Sequence, residues 1–479
     1  MMACKRFCSG HVGARVHDPL SLHDLVGDEI AQRRETGHDV ASLARHYAAT
    51  DPDDAAALEG LFVQLSELTP AADWPYDEPS DLPGIIAALP AVTTPDDAIA
   101  SAVDGAQLSD RIMGGWLGRI AGCNLGKPVE WGDHWTTTHI RDYLERADAW
   151  PLLDYFPVLD PMPPGFDLRE NWPQTTRGRV DGSARDDDID YAILGLDLLE
   201  RHGAALRPRD VATAWLTYLP YLQVYTAERA VYRNLLQGVA PGEAATSRNP
   251  YREWIGALIR GDAFGWAQPG RPRAAALLAF QDAALSHTAN GIYGEMWAAA
   301  LVASAFTATD PRSAIEMSLA HIPPRSRLAE ALRDVLDLEA QGVAWDDAIS
   351  LIQARYGQYS WVHTVNNAAI IAAGLLWGRG DYSTTIGLTV SGGWDTDSNG
   401  ATAGSVAGVM LGASALPAHF VGPLNDRVRS ALFGFDNSRI SDLATRTTRL
   451  AVDGLRGSDI AATPVTADDA VVAASAAGS

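Results

Sequence analysis

A chain of 479 residues, 47% of them hydrophobic and 20% charged, has an ordinary globular composition and enough apolar material for a sizeable core. Its 60 acidic residues outnumber 37 basic ones, and the formal charge of -23 argues against a nucleic-acid backbone or an anionic membrane surface as the main partner. The cysteines, Cys4, Cys8 and Cys123, offer neither a disulfide framework nor a zinc-like spacing, and no run reaches the roughly 18 apolar residues of a membrane helix, so a soluble, cytoplasmic protein is expected.

In chain order, the spacing predicts helices near Leu22 to Tyr47 and Asp53 to Leu68, followed by a Pro-rich passage from Pro70 to Pro95 that breaks the periodicity. Residues 1–107 therefore read as a helical extension with a linker. From Asp110 to Val452 apolar residues recur at helical spacing, as in Ile189 to Leu199, Arg273 to Ala284, Met296 to Phe306 and Asn367 to Leu376. Alternating strand patterns are scarce, so residues 108–452 are expected to form one all-α domain. Residues 453–479, rich in small residues and free of aromatics, read as a disordered tail.

Two glycine ladders carry a tertiary expectation. Gly114, Gly118, Gly122 and Gly126 recur every four residues, as do Gly400, Gly404, Gly408 and Gly412. On a helix that spacing keeps them near one face, and each glycine costs about 1 kcal/mol relative to alanine, which close backbone approach would explain. If the ladders pack antiparallel, the end of the first, with Glu130 just beyond, lies beside the start of the second. Two independently packed core helices are the alternative.

That start carries Asp395, Asp397 and Ser398 after the turn Ser391-Gly392-Gly393-Trp394, and far upstream Asp186, Asp187 and Asp188 open another helix. One aspartate at a helix N-terminus is explained as a cap. Three adjacent carboxylates are not, because close pairs repel by up to about 4 kcal/mol at a near-surface dielectric. If the clusters meet, they form an all-oxygen site suited to Mg²⁺ or Mn²⁺ and not to zinc.

Three segments in order resemble the ADP-ribosylglycohydrolases, the family of the dinitrogenase-reductase-activating glycohydrolase. Asp110-Arg111-Ile112 through Gly126-Lys127-Pro128-Val129-Glu130 is similar to the family's opening glycine-spaced helix and its Gly-x-Pro-x-Glu end. Asp186-Asp187-Asp188-Ile189 resembles its Thr-Asp-Asp-Thr helix start, and Gly393-Trp394-Asp395-Thr396-Asp397-Ser398 its closing Gly-Gly-Asp-Thr-Asp-Thr/Ser. The resemblance implies an orthogonal multi-helix bundle holding two Mg²⁺ ions, or Mn²⁺, and hydrolysis of a glycosidic bond from ADP-ribose to a protein side chain or small metabolite. Carried over by position, the metal ligands are Asp186, Asp187, Asp188, Asp395, Asp397 and Ser398; Glu130 and Asp187 are the catalytic carboxylates, with Asp190 outside the ligand set. Glu130, His287, Trp394 and Arg260 are the substrate-binding candidates.

Cys123 stands where the family usually has an aspartate, Ile189 where it has a hydroxyl, and Ile255 where it has an asparagine in a stretch ending at Arg260. Those departures admit a rival reading, a non-catalytic ADP-ribose or metal-binding protein like the family's lens-crystallin branch; a two-metal phosphoester hydrolase is another, since two ions serve that chemistry equally well.

Overall fold

The computed structural model describes residues 21–91 and 94–455, so the expected tail lies almost wholly outside the described residues. Helices supply the regular structure, and among the described residues β-pairing is limited to isolated bridges such as Trp254 with His363. None of the described helices is long and apolar enough to cross a membrane.

The two glycine ladders fall on the helices Leu108–Gly126 and Thr396–Leu411, which pack antiparallel at the centre of the molecule. A methyl group on Gly114, Gly118 or Gly122 would run into the carbonyl oxygen of Gly408, Gly404 or Gly400, and one on Gly126 into that of Thr396. Each rung thus needs glycine, and the alternative of independent packing is set aside. At the far end Arg111 donates to the carbonyls of Val409 at 2.7 Å, Phe306 at 2.6 Å and Ala305 at 2.7 Å, satisfying the last turns of two helices with one guanidinium. Around this pair lie Asp187–His202, Ala289–Ala305 and Thr364–Gly378. The last two are apolar almost all round and correspondingly buried, as a helix with no polar face must be.

The N-terminal helices Leu22–Glu35, Ala41–Ala49 and Ala55–Ser66 share a small core of Val26, Ile30, Val40, Leu58, Leu61 and Leu65. The Pro-rich passage differs from the expected linker: it is fastened along the larger body. Asp77 donates its amide to the Arg325 carbonyl at 3.0 Å, Ala289 donates to the Ser80 hydroxyl at 3.0 Å, and Arg327 bridges Glu78 and Glu253 at 2.8 and 2.6 Å. Gln32 adds a 2.9 Å bond to Glu253, and Glu29 binds Arg252 at 2.6 Å. These long-range ion pairs join distant stretches of sequence and leave no local pattern to read.

The docked extension also produces a pH-sensitive position. Burial, followed by the charge of Glu253, pushes the Glu35 carboxyl up to about 8, while Glu253, despite its burial, is held down to about 2 by Arg327 and its other partners. A raised carboxyl binds its proton more tightly in the folded state, so Glu35 contributes a loss of stability as pH climbs from the usual carboxylate range towards 8. Glu35→Gln is therefore expected to stabilise the fold at pH 8 by on the order of 1–3 kcal/mol, read as a higher melting temperature, and to change it little at pH 4.5. Equal effects at both pH values would contradict that origin.

Candidate active site

The antiparallel glycine pair brings Glu130, past the end of one helix, to Asp395 and Asp397 at the start of the other. One group of ligand atoms comes from Glu130, Asp395 and Asp397, and a second from Cys123, Asp186, Asp188 and Asp397; within each, the atoms lie within 4.8 Å of one another, and Asp397 belongs to both. The Ser398 hydroxyl donates to Asp188 at 3.0 Å and ties the two aspartate clusters together. Asp186, Asp188, Asp395, Asp397 and Ser398 are each at most 5% exposed, whereas Asp187 and Glu130 are half-buried. Asp187 falls outside both groups but lines the adjoining cavity.

Local structure explains these placements. Asp186 is the N-cap of Asp187–His202, its side chain accepting the Asp188 amide at 2.9 Å. Asp395 stands at the cap position of the second glycine helix without making such a bond, which leaves its carboxyl directed elsewhere. Its backbone is held by the Asn367 side chain at 3.2 Å, and the preceding turn takes Gly393 and Trp394 through positive φ of 76° and 59°. A tryptophan there costs roughly 1–2 kcal/mol, so the turn is imposed by its surroundings. Fully buried Arg119 reaches across to the Asp188 carboxylate at 3.1 Å and also pairs with Asp262.

Burial dominates the electrostatics, with repulsion adding to it. Glu130 is pushed up to about 8 by burial and then by Asp397, against the pull of Arg169 and Lys127. Burial likewise carries Asp188 to about 7 although Arg119 opposes it, and Asp395 is raised well above the carboxylate range by burial, Asp397 and Glu130. Cys123 is raised by burial too, so it stands as a neutral thiol. Lys127 is the internal cation: its ammonium pairs with Asp186 and lies 3.5 Å from Asp397.

Beside the carboxylates opens a cavity of about 490 Å³, within the usual range for small-ligand sites. Its lining mixes polar groups, Lys127, Arg169, Arg185, Tyr225 and Glu228, with the apolar Trp254, Ile255, Trp361 and Val362. Ile255 donates its amide to the Val362 carbonyl at 2.8 Å, which joins the two apolar segments into one wall. A cavity of about 560 Å³ elsewhere, near Asp96 and Arg271, carries no such carboxylate group.

Three of the four substrate-binding candidates sit away from this lining. Arg260 is buried beneath it, bonded to Asp282 at 2.8 Å, Glu228 at 2.8 Å and Ser286 at 3.0 Å, where it orients the lining residue Glu228. His287 is buried against Ser286 at 2.7 Å, and Trp394 packs on the hydrophobic core. Glu130 does line the cavity. Sequence reading missed Arg169, Arg185, Tyr225, Glu228 and Asn367. Asp190, expected outside the ligand set, positions Arg185 through a 2.9 Å bond.

The model of the ADP-ribosylglycohydrolase family matches residues 104–453. The chain belongs to the ADP-ribosylglycohydrolase family. Its all-helical architecture agrees with that assignment. Among solved structures, one described as an ADP-ribosylglycohydrolase-related protein complex is similar at 20% identity with a TM-score of 0.42, covering 72% of this chain and 99% of that one. No curated protein sequence matches.

The donor set fits the metal dependence of an ADP-ribosylglycohydrolase. Asp395, 5% exposed, has as its side-chain partner another carboxyl, Asp397, and two buried carboxyls in that relation favour a cation between them. All the donors are oxygen except Cys123, which suits hard divalent ions. Cys123 and Asp186, which both depart from the family pattern, belong to the same ligand group.

Proposed function

We propose that this family member is a metal-dependent hydrolase that cleaves the N- or O-glycosidic bond joining ADP-ribose to a protein side chain or small metabolite. The observation that carries the reading is the convergence of Glu130, Asp395 and Asp397 at a cavity with cationic and aromatic walls. Mg²⁺ or Mn²⁺, when bound, supplies attachment for ribose hydroxyls, a water of lowered pKa and charge stabilisation. Glu130, Asp395 and Asp397 hold it, with the Asp186, Asp188 and Ser398 cluster alongside.

The chain's own groups divide the remaining work. Arg169 and Arg185 present guanidinium groups to a diphosphate, matching its paired oxygens. Trp254, Trp361 and Tyr225 offer flat faces to an adenine and exclude water from the bond to be broken. Glu130, at the cavity and 3.5 Å from Arg169, takes the proton of the attacking water at its carboxylate; Asp187 is the second carboxylate on the same lining.

Glu130→Gln should lower turnover about 10²–10⁴-fold, the usual worth of a proton-transfer group. A divalent-ion-dependent rise in melting temperature should persist in that variant because Asp395 and Asp397 remain. Unchanged turnover would remove Glu130 from the reaction. The bond class is tested by hydrolysing ADP-ribosylated arginine, serine and metabolite substrates in ¹⁸O-water. Label in released ADP-ribose supports glycosidic cleavage, and label in released phosphate would establish the phosphoester reading instead.

A further inference from the structure

Resting on the metal-dependent reading above, the geometry points to a single divalent ion per chain, held by Glu130, Asp395 and Asp397, with the ammonium of Lys127 standing in place of a second ion. The two ligand groups differ in how far the protein has already satisfied them. In the group around Cys123 every carboxylate oxygen has a partner from the chain. Asp186 accepts the Asp188 amide with one oxygen and pairs with Lys127 through the other. Asp188 binds Arg119 at 3.1 Å with one oxygen and the Ser398 hydroxyl at 3.0 Å with the other. Asp397 takes the Ser398 amide at 3.0 Å and faces Lys127 at 3.5 Å. The remaining member, Cys123, is 2% exposed and brings no charge unless ionised.

The other group is built differently. Asp395 has no cationic partner among the described residues, and its side-chain neighbour is a carboxyl. Glu130 has Arg169 at 3.5 Å, and the charge of Lys127 acts on it from farther off. A divalent ion entering here gains Asp395, which has no cation of its own among the described residues, with Glu130 and Asp397, whose nearest cations stand 3.5 Å off. Entering the first group, it must displace Lys127 from Asp186 and leave that ammonium buried, since the Lys127 side chain is 10% exposed. Stripping a buried ammonium of its partner is among the larger penalties in a protein interior.

Charge accounts for the local sequence as well. Asp186 adds an anion where the resemblance leads one to expect a hydroxyl, and Lys127 is the cation that meets it. Lys127 is placed by the same device that places Glu130: it follows directly on Gly126, whose close approach to the Thr396 carbonyl brings the chain down onto the second glycine helix.

The test counts ions. Full-length protein, stripped with chelator and equilibrated with Mn²⁺, is measured for bound manganese by mass spectrometry and for spin coupling by electron paramagnetic resonance. One Mn²⁺ per chain with an uncoupled six-line spectrum is the expected result. The variants Lys127→Met and Lys127→Met with Asp186→Thr should each take up a second ion and show a coupled spectrum, the double variant guarding against misfolding from an unpaired Asp186. Two coupled ions in the unaltered chain would overturn the inference and leave the metal-dependent reading intact. No bound manganese would overturn that reading itself. One ion in every folded variant would remove Lys127 as the group that limits the number.

Discussion

Replacing Asp395 and Asp397 together by asparagine should abolish turnover, with a fall of at least about 10³-fold, and should remove the response of the fold to divalent ions. In chelator the double variant is expected to be more stable than the unaltered chain, because two buried carboxyls side by side, of which Asp395 is raised by burial and by the charge of Asp397, are replaced by neutral amides of the same shape. In saturating Mg²⁺ the order reverses. The unaltered chain gains about 2.7 kcal/mol at a hundredfold excess over its dissociation constant, and the variant gains nothing. Melting curves in chelator and in Mg²⁺ check both halves. An unaltered chain whose melting ignores Mg²⁺ and Mn²⁺ would remove the metal from the account.

The largest effect on folding should come from the ladder. Gly122→Val places a branched side chain against the Gly400 carbonyl, where even one added carbon collides with the opposite backbone. The helices must separate along the interface that sets Glu130 beside Asp395 and Asp397. Because the obstacle is backbone, relief by rotamer change is closed, and the expected loss is about 3–5 kcal/mol, a large part of the 5–15 kcal/mol typical of a folded domain. The control is Gly60→Ala, on the exposed face of Ala55–Ser66 with open space around it, which should be neutral or stabilising by up to about 1 kcal/mol. Thermal unfolding of the two variants separates packing from helix propensity, and a Gly122→Val protein melting with the unaltered chain would contradict the ladder.

That interface was legible in advance because its cause is local and repeated. Glycine every fourth residue on two helices states both that they touch and by which faces, and polar residues at one end fix what the contact brings together. The aspartate clusters were legible for a related reason, since their like charges have no explanation within their own helices. The cavity walls were not. Arg169, Arg185, Tyr225 and Trp254 sit in loops or at helix edges, far apart in sequence, and only the path of the chain assembles them. Arg260 and His287, named from the family resemblance, lie off the cavity lining, Arg260 bonded to Glu228 and Asp282 and His287 to Ser286, and no local pattern states those partners. The fastening of the Pro-rich passage through Glu78, Arg327 and Glu253 was equally hidden, since ion pairs between residues 249 and 74 positions apart follow no periodicity.

Release of free ADP-ribose, followed by mass spectrometry from ADP-ribosylated arginine, serine and small-metabolite substrates in Mg²⁺, Mn²⁺ or EDTA, tests the central claim most directly. The account predicts release from at least one substrate in a divalent ion, its loss in EDTA and its recovery when the ion is restored. No release under any metal, from a protein that still binds ADP-ribose, would contradict it and make this chain a binding protein built on a hydrolase fold.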